Sequence, residues 1–317
     1  MLKIRLKKIL ATCILLILIG KSASFNGVNT YAMEATSTIS DTTEGTATTS
    51  TTTVTTTTST IGTTTSKLAT TYTDSQGVTY NLDNTNETAS VAGVNSKDIK
   101  TVELPKEINV NGQTYSVTSI YSCAFYGCSD LSSIVISNSI TSISNWAFEG
   151  CSSLISIAIP NSVTSIGNLS FNGCTGLTSI IVDDNNKFYS SQDGVLFNKD
   201  KTNLIIYLEG NRQSEYTIPD SVTSIGDFAF SWSRYLSNVR ISEGVKSVGS
   251  YAFSCCSGLE SINVDANNKN YSSEDGVFFN KDKTELIQYP LGNKQSEYTV
   301  PDSVTSVVVK HYCNTLT

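Results

Sequence analysis

Residues 140–162 read ITSISNWAFEGCSSLISIAIPNS, and residues 163–174 begin the same phrase again as VTSIGNLSFNGC. The phrase also opens at Val117 (VTSIYSCAFYGC), Val222 (VTSIGDFAFSWS), Val245 (VKSVGSYAFSCC) and Val304 (VTSVVVKHYCNT). The starts at 117, 140, 163, 222, 245 and 304 are separated by 23, 23, 59, 23 and 59 residues. Self-similarity at this period predicts a solenoid, in which each unit contacts only its neighbours. Such a chain has a long surface rather than one deep cleft.

Within 140–162 the apolar positions are Ile140, Ile143, Ala147, Phe148, Cys151, Leu154, Ile157 and Ile159. The tail Leu154-x-x-Ile157-x-Ile159 reads as a short strand, ended by Pro160, which has no N–H for a ladder. The middle, Asn145 to Gly150, is too short for a self-supporting helix and predicts a single helical or 3-10 turn. Phe148 is an apolar plug that one unit cannot bury alone. Stacking buries such a side chain between neighbours for roughly 1.5–3 kcal/mol. The same reading places Phe125, Phe148, Phe171, Phe230 and Phe253 in one buried column. The strand tails at Leu131, Leu177, Leu236 and Leu259 repeat the pattern.

These tails, with the Ala-Phe plug and the following Gly-Cys, form a leucine-rich repeat. IPNSVTSIGNLSFNGCTGLTSI (159–180), IPDSVTSIGDFAF (218–230) and VKSVGSYAFSCCSGL (245–259) closely resemble the BspA-type leucine-rich repeat family of surface proteins. The resemblance covers about residues 72–303. It implies a leucine-rich repeat solenoid, β-rich, with a parallel strand ladder on one face and short helical or 3-10 turns on the other. It also implies attachment to host proteins or other cells, at family level only, since fold does not fix function.

The two long intervals match each other: DDNNKFYSSQDGVLFNKDKTNLIIYLEGNRQSEYTIPDS (183–221) aligns with DANNKNYSSEDGVFFNKDKTELIQYPLGNKQSEYTVPDS (265–303). In the first, Gly194–Phe197 and Leu204–Tyr207 flank a polar turn, which predicts a β-hairpin. Tyr216-Thr217-Ile218-Pro219 then restores the next strand. The expected organisation is a signal peptide at 1–32 and a Thr/Ser-rich disordered linker at 33–68. A β-hairpin cap at 69–116 contains the turn Asn111-Gly112. Leucine-rich repeats follow at 117–303, with insertions at 183–218 and 265–300. A degenerate or truncated last repeat occupies 304–317. The leader reading rests on Lys3, Arg5, Lys7 and Lys8 before the apolar run Ile9–Ile19, with a small-residue cleavage site at Thr30-Tyr31-Ala32. The Thr/Ser tract has too little apolar surface to offset its ordering entropy.

Net charge is −7. Removing the leader takes five bases and no acid, leaving 16 basic against 28 acidic residues and a charge of −12. That argues against nucleic acid and against electrostatic docking on anionic lipid. Cys128, Cys151, Cys174 and Cys256 share one repeat offset, with Ser233 in the fifth slot; they read as small buried corner residues rather than a metal site. Cys123 and Cys255 lie off that column and are the better candidates for reactive thiols. Asp183–Asn186 and Asp265–Asn268 read as Asx turns rather than calcium loops, because Lys187 and Lys269 stand at the fifth position. The single histidine, His311, lies in the aberrant tail, and the abundant serines lack a base, so no catalytic residue, metal or cofactor is assigned.

The expected activity is therefore binding, adhesin-like and without catalysis, by a monomer secreted or displayed on the cell surface and not inserted in a membrane once the signal is cleaved. The candidate ligand-binding positions are the outward strand residues Ile155, Ala158, Thr178, Ile181, Asn238, Arg240, Glu260 and Asn263. A large, weakly charged face suits an extracellular protein or glycan through many modest contacts. The alternatives are a wall or biofilm spacer with no specific ligand, or a non-functional fragment of a longer surface protein.

Overall fold

The computed structural model describes residues 70–308 and the backbone of Lys3–Ile4, a two-residue strand antiparallel to Tyr298–Thr299. The expected signal peptide, the Thr/Ser-rich linker, His311 and the end of the tail lie outside the described residues.

Each coil contributes two strands, and each strand type builds its own parallel ladder. The leucine tails form one: Ser156–Ile159 pairs with Ser179–Val182, and Glu215–Thr217, Asn238–Ile241 and Ser261–Val264 continue it beyond the first insert. We call this the leucine ladder. The Val-Thr-Ser-Ile phrases form the other, the serine ladder: Gln113–Ile120, Ser142–Ile143 and Ser165–Ile166 stack in order. Partners such as Ser142↔Ser165 and Ser224↔Ser247 are one 23-residue period apart. The second ladder was not expected. A two-residue strand carries no legible alternation, and it exists only because a neighbour supplies its hydrogen bonds.

Hydroxyls explain the rest of the phrase. Ser162 Oγ donates to Ile140 O at 2.6 Å and Ser139 Oγ to Val117 O at 2.6 Å. Thr141 and Thr164 hydroxyls reach Thr118 and Thr141 carbonyls at 3.1 and 3.2 Å. Ser and Thr thus tie each coil to the one before it.

The corner following the serine ladder corrects the expectation of helical or 3-10 turns: among the described residues it is a chain of turns without helix. Its N–H groups alternate. Cys128 N donates to Phe125 O and Tyr126 N to Cys123 O within the corner, whereas Phe125 N and Gly127 N donate to Ala147 O and Glu149 O of the next coil. In a helix consecutive N–H groups all point along the axis, so none would be aimed sideways at the neighbouring coil. The alternation needs left-handed residues, at Cys123, Trp146 and Leu169 (φ 60°, 57° and 56°) and at Gly127, Gly150 and Gly173. Glycine suits the latter: a Cβ on Gly173 would also press on Gly150 N at 3.1 Å.

The plugs pack as expected, in two runs rather than one. Phe125, Phe148 and Phe171 stack at 5.2 and 5.6 Å with near-parallel rings. Phe230 and Phe253 stack at 5.1 Å, and Tyr207 of the insert takes the next place, 5.2 Å from Phe230. The insert explains the interruption. Val195–Asn198 and Asn203–Tyr207 form the expected antiparallel hairpin, but Asn203–Tyr207 also joins the serine ladder through Leu204↔Ile225. Its 36 extra residues are thus a hairpin plus a degenerate coil.

At the N-terminal side, Glu107–Val110 and Gln113–Ile120 form a hairpin closed by Asn111 and Gly112, both left-handed (φ 55° and 86°). A meander of Thr71–Thr73, Val78–Asp83 and Thr88–Val94 follows on, with Thr88–Val94 parallel to Gln113–Ile120. Val78, Tyr80, Ala89 and Val91 are fully buried there.

Candidate binding face and the corner column

Alternation along the leucine ladder sends Ile157 and Ile180 inward and Ala158 and Ile181 outward. Ala158 and Ile181 are cross-strand partners, and Val135 lies one repeat before Ala158. Ile155, Ile181 and Val135 are 62%, 58% and 55% exposed, so aliphatic surface accumulates on this half of the face. Thr178 is exposed one repeat after Ile155, and its N–H donates to Ile155 O at 3.0 Å.

The other four expected residues lie beyond the first insert and have polar surroundings. Arg240 is exposed, between Thr217 and Asn263 in register. Asn263 Nδ2 donates to Asn238 Oδ1 at 2.8 Å, and Ser261 Oγ donates to the same oxygen at 3.2 Å. Glu260 is paired with Lys294 at 2.6 Å. An exposed pair of this kind contributes about 0–1 kcal/mol. Arg212 sits 5.1 Å above the exposed ring of Tyr235.

The face is therefore two patches, not one. Ile155, Ala158, Thr178 and Ile181 make an aliphatic patch; Asn238, Arg240, Glu260 and Asn263 make a polar one. Between them the ladder is broken, and a groove is lined by Thr178–Ile181, Ser191–Gly194 and Asn211–Gln213. Sequence reading missed Tyr235, Arg212 and Lys294: Arg212 and Lys294 hold equivalent places in the two inserts, and Tyr235 stands where other coils carry Ser153, Gly176 or Gly258, but none of them lies on a strand face.

The corner cysteines fill the solenoid as expected. Cys128, Cys151, Cys174 and Cys256 are buried, and each of the last three thiols donates to the carbonyl of the preceding plug. Cys151 reaches Phe125 O at 3.2 Å, Cys174 reaches Phe148 O at 3.1 Å, and Cys256 reaches Phe230 O at 2.9 Å. Burial pushes the Cys256 thiol up to about 12 and that of Cys128 up to about 11. Ser233, with a shorter C–O bond, is buried with no partner for its hydroxyl. Of the two thiols set apart as reactive, Cys255 is disulfide-bonded. Cys123 is exposed, but partial desolvation and then the Glu149 carboxylate raise its pKa, which opposes thiolate formation.

The Asx loops have the expected turn. Asn185 N and Asn267 N each donate to the Asp two residues before, at 2.8 Å. The following asparagine is a buried staple. Asn186 donates to Pro160 O and Val163 O and accepts from Phe188 N and Tyr189 N, all at 2.8–2.9 Å. Asn268 repeats this with Ser242, Val245, Asn270 and Tyr271.

Among the described residues no helix is long and apolar enough to cross a membrane. A family model for the BspA type leucine rich repeat region matches in 6 copies, over residues 106–212 and 207–302. No curated protein matches. Solved structures do. A leucine-rich repeat protein from Bacteroides ovatus is 31% identical, with a TM-score of 0.43 over 60% of this chain and 47% of that one. A leucine rich cell surface protein from Faecalibacterium prausnitzii is 20% identical, with a TM-score of 0.37 over 62% and 77%. The pneumococcal vaccine antigen PcpA is 20% identical, with a TM-score of 0.37 over 76% and 78%.

Proposed function

We propose that this chain, which belongs to the BspA-type leucine-rich repeat family, is a secreted or surface-displayed, adhesin-like protein that binds an extracellular protein or glycan and carries out no catalysis. The reading takes it as a monomer. The observation that carries it is the aliphatic patch of Ile155, Ala158 and Ile181 with Val135, held outward on hydrogen-bonded strands. Ladder partners fix the backbone, so little conformational entropy remains to be lost on binding. Exposed aliphatic surface rimmed by Ser and Thr is also what a protein-binding face requires. A spacer with no ligand has no use for these aliphatics, which lower solubility.

The test uses beads coated with the full chain and monolayers of cultured epithelial cells. Binding should saturate, and soluble full chain should compete for it. The double variant Ile155→Ser/Ile181→Ser, folded by circular dichroism, should lose most of it. Binding that never saturates favours the spacer role. Saturable binding that survives the double variant moves the site off this patch.

A further inference from the structure

The degenerate coil of the first insert is two residues short at its corner. Leu204 is in register with Ile225, and Tyr207 N donates to Ala229 O as Phe230 N does to Ala252 O. Between Ile225 and the plug Phe230 lie four residues; between Leu204 and the plug Tyr207 lie two. Nothing in the insert answers to Asn168–Leu169 in the coil before it or Asp227–Phe228 in the coil after it. The deficit leaves a notch of about 190 Å³, bounded by those two pairs and floored by Ile205, Ile206 and Tyr207.

Polar groups that regular coils satisfy are left over at this notch. Trp146 and Phe148 N–H groups reach Asn168 and Ser170 carbonyls, but Leu169 and Phe171 N–H groups make no such backbone bond. Asn145 Oδ1 accepts from Asn168 N at 2.8 Å and Asp227 Oδ1 accepts from Ser250 N at 2.6 Å. The insert has no residue to offer Asn168 the same donor. Tyr207 is only 2% exposed; its ring packs in the core against Phe230 and Tyr216, and its hydroxyl is buried there without a hydrogen-bond partner, sealed from the notch. The pattern recurs in the second insert. Leu286 is in register with Val307, two residues separate it from Tyr289, and the Tyr289 hydroxyl is also buried without a partner.

The lining says what could use these groups. Phe228, stacked on Tyr251 at 5.1 Å, and Leu169 offer apolar walls, while Asn168, Asn203 and Asp227 offer amide and carboxylate groups. No Lys, Arg or His lines the notch; Glu209 is already engaged by Arg234 and Gly173 N, and Asp227 disfavours an anion. The volume equals that of about six waters in the liquid, room for one six-membered ring and below the ~300–1,000 Å³ of drug-sized sites. A ring with apolar faces and a hydroxyl rim matches each of these features. We propose that the notch binds one neutral sugar unit of a glycan. This does not rest on the aliphatic patch of the leucine ladder.

The experiment is a ¹⁵N NMR titration of the full chain with the methyl glycosides of glucose, galactose, mannose and N-acetylglucosamine. A ligand of this size binds at about 1–10 mM. At least one glycoside should shift the amides of Leu169, Ile205–Tyr207 and Phe228. Asp227→Asn keeps the oxygen that accepts from Ser250 N and removes the carboxylate; Asn168→Ala removes an exposed amide. Each should weaken that sugar about fivefold, the equivalent of one neutral hydrogen bond, with the circular dichroism spectrum unchanged. Ile155→Ser/Ile181→Ser should leave the shifts unaltered, which separates this site from the cell-binding patch. The proposal is overturned if none of the four glycosides moves these amides, or if affinity is the same in both variants.

Discussion

Phe148→Ala tests the stacking that makes the solenoid. The ring is fully buried and lies between Phe125 at 5.2 Å (1° between planes) and Phe171 at 5.6 Å (7°). Truncation removes both ring contacts, each worth about 0.5–1.5 kcal/mol beyond area burial. It also leaves a cavity that cannot collapse, since Phe148 N and Cys174 Sγ hold this corner to its neighbours through Ser170 O and Phe148 O. Core Phe→Ala changes cost about 3–5 kcal/mol; with stacking on both sides, the upper half of that range is expected. For an m-value near 3 kcal/mol/M, this moves the urea midpoint down by roughly 1.3–1.7 M. Urea unfolding followed by far-UV circular dichroism reads the shift, with m unchanged. A loss below about 1 kcal/mol would refute the buried plug as the element joining coils.

Asn186→Ala removes a side chain with four hydrogen bonds in a buried site and strands two carbonyls and two N–H groups. It should cost at least about 3 kcal/mol, measurable by the same urea titration, and Asn185→Ala on the exposed turn should cost far less. Burial raises the pKa of the Glu209 carboxyl against the lowering effects of Arg234 and Gly173 N–H, and burial likewise raises that of Glu149. A folded pKa above the unfolded value means that the folded state holds the proton more tightly. The contribution of these two groups to stability should therefore grow as pH falls from 7 toward 4.5, and Glu209→Gln should flatten that rise in urea midpoints across the window. Among Cys123, Cys128, Cys151, Cys174 and Cys256, a thiol reagent on the native protein should modify Cys123 first and slowly at neutral pH. Equal labelling of Cys151 would contradict its burial. Cys151→Ser should resemble the orphaned Ser233 and destabilise by about 1–3 kcal/mol.

The sequence by itself determined the coil and its period. A plug, a glycine turn, a small corner residue and a strand tail recur every 23 residues, and in a solenoid each unit meets only copies of itself, so local pattern nearly equals tertiary pattern. The hairpins at Val195–Tyr207 and Glu107–Ile120 were legible for a similar reason: strand and turn chemistry lie side by side in the chain. Tertiary structure alone decided what neighbours share unequally. Whether a corner N–H turns inward or reaches the next coil depends on that coil having a carbonyl in place, so the corner is a run of turns and not a helix. Ser142–Ile143 becomes a strand only against Gln113–Ile120 and Ser165–Ile166. Tyr207 enters a plug position without the Ala-Phe signature, because the first insert continues the stack with a shorter corner. The first insert interrupts the outer face between Ile181 and Thr217, and its short corner opens the notch beside Asn168. Neither follows from any single repeat, since both arise where two unlike coils meet.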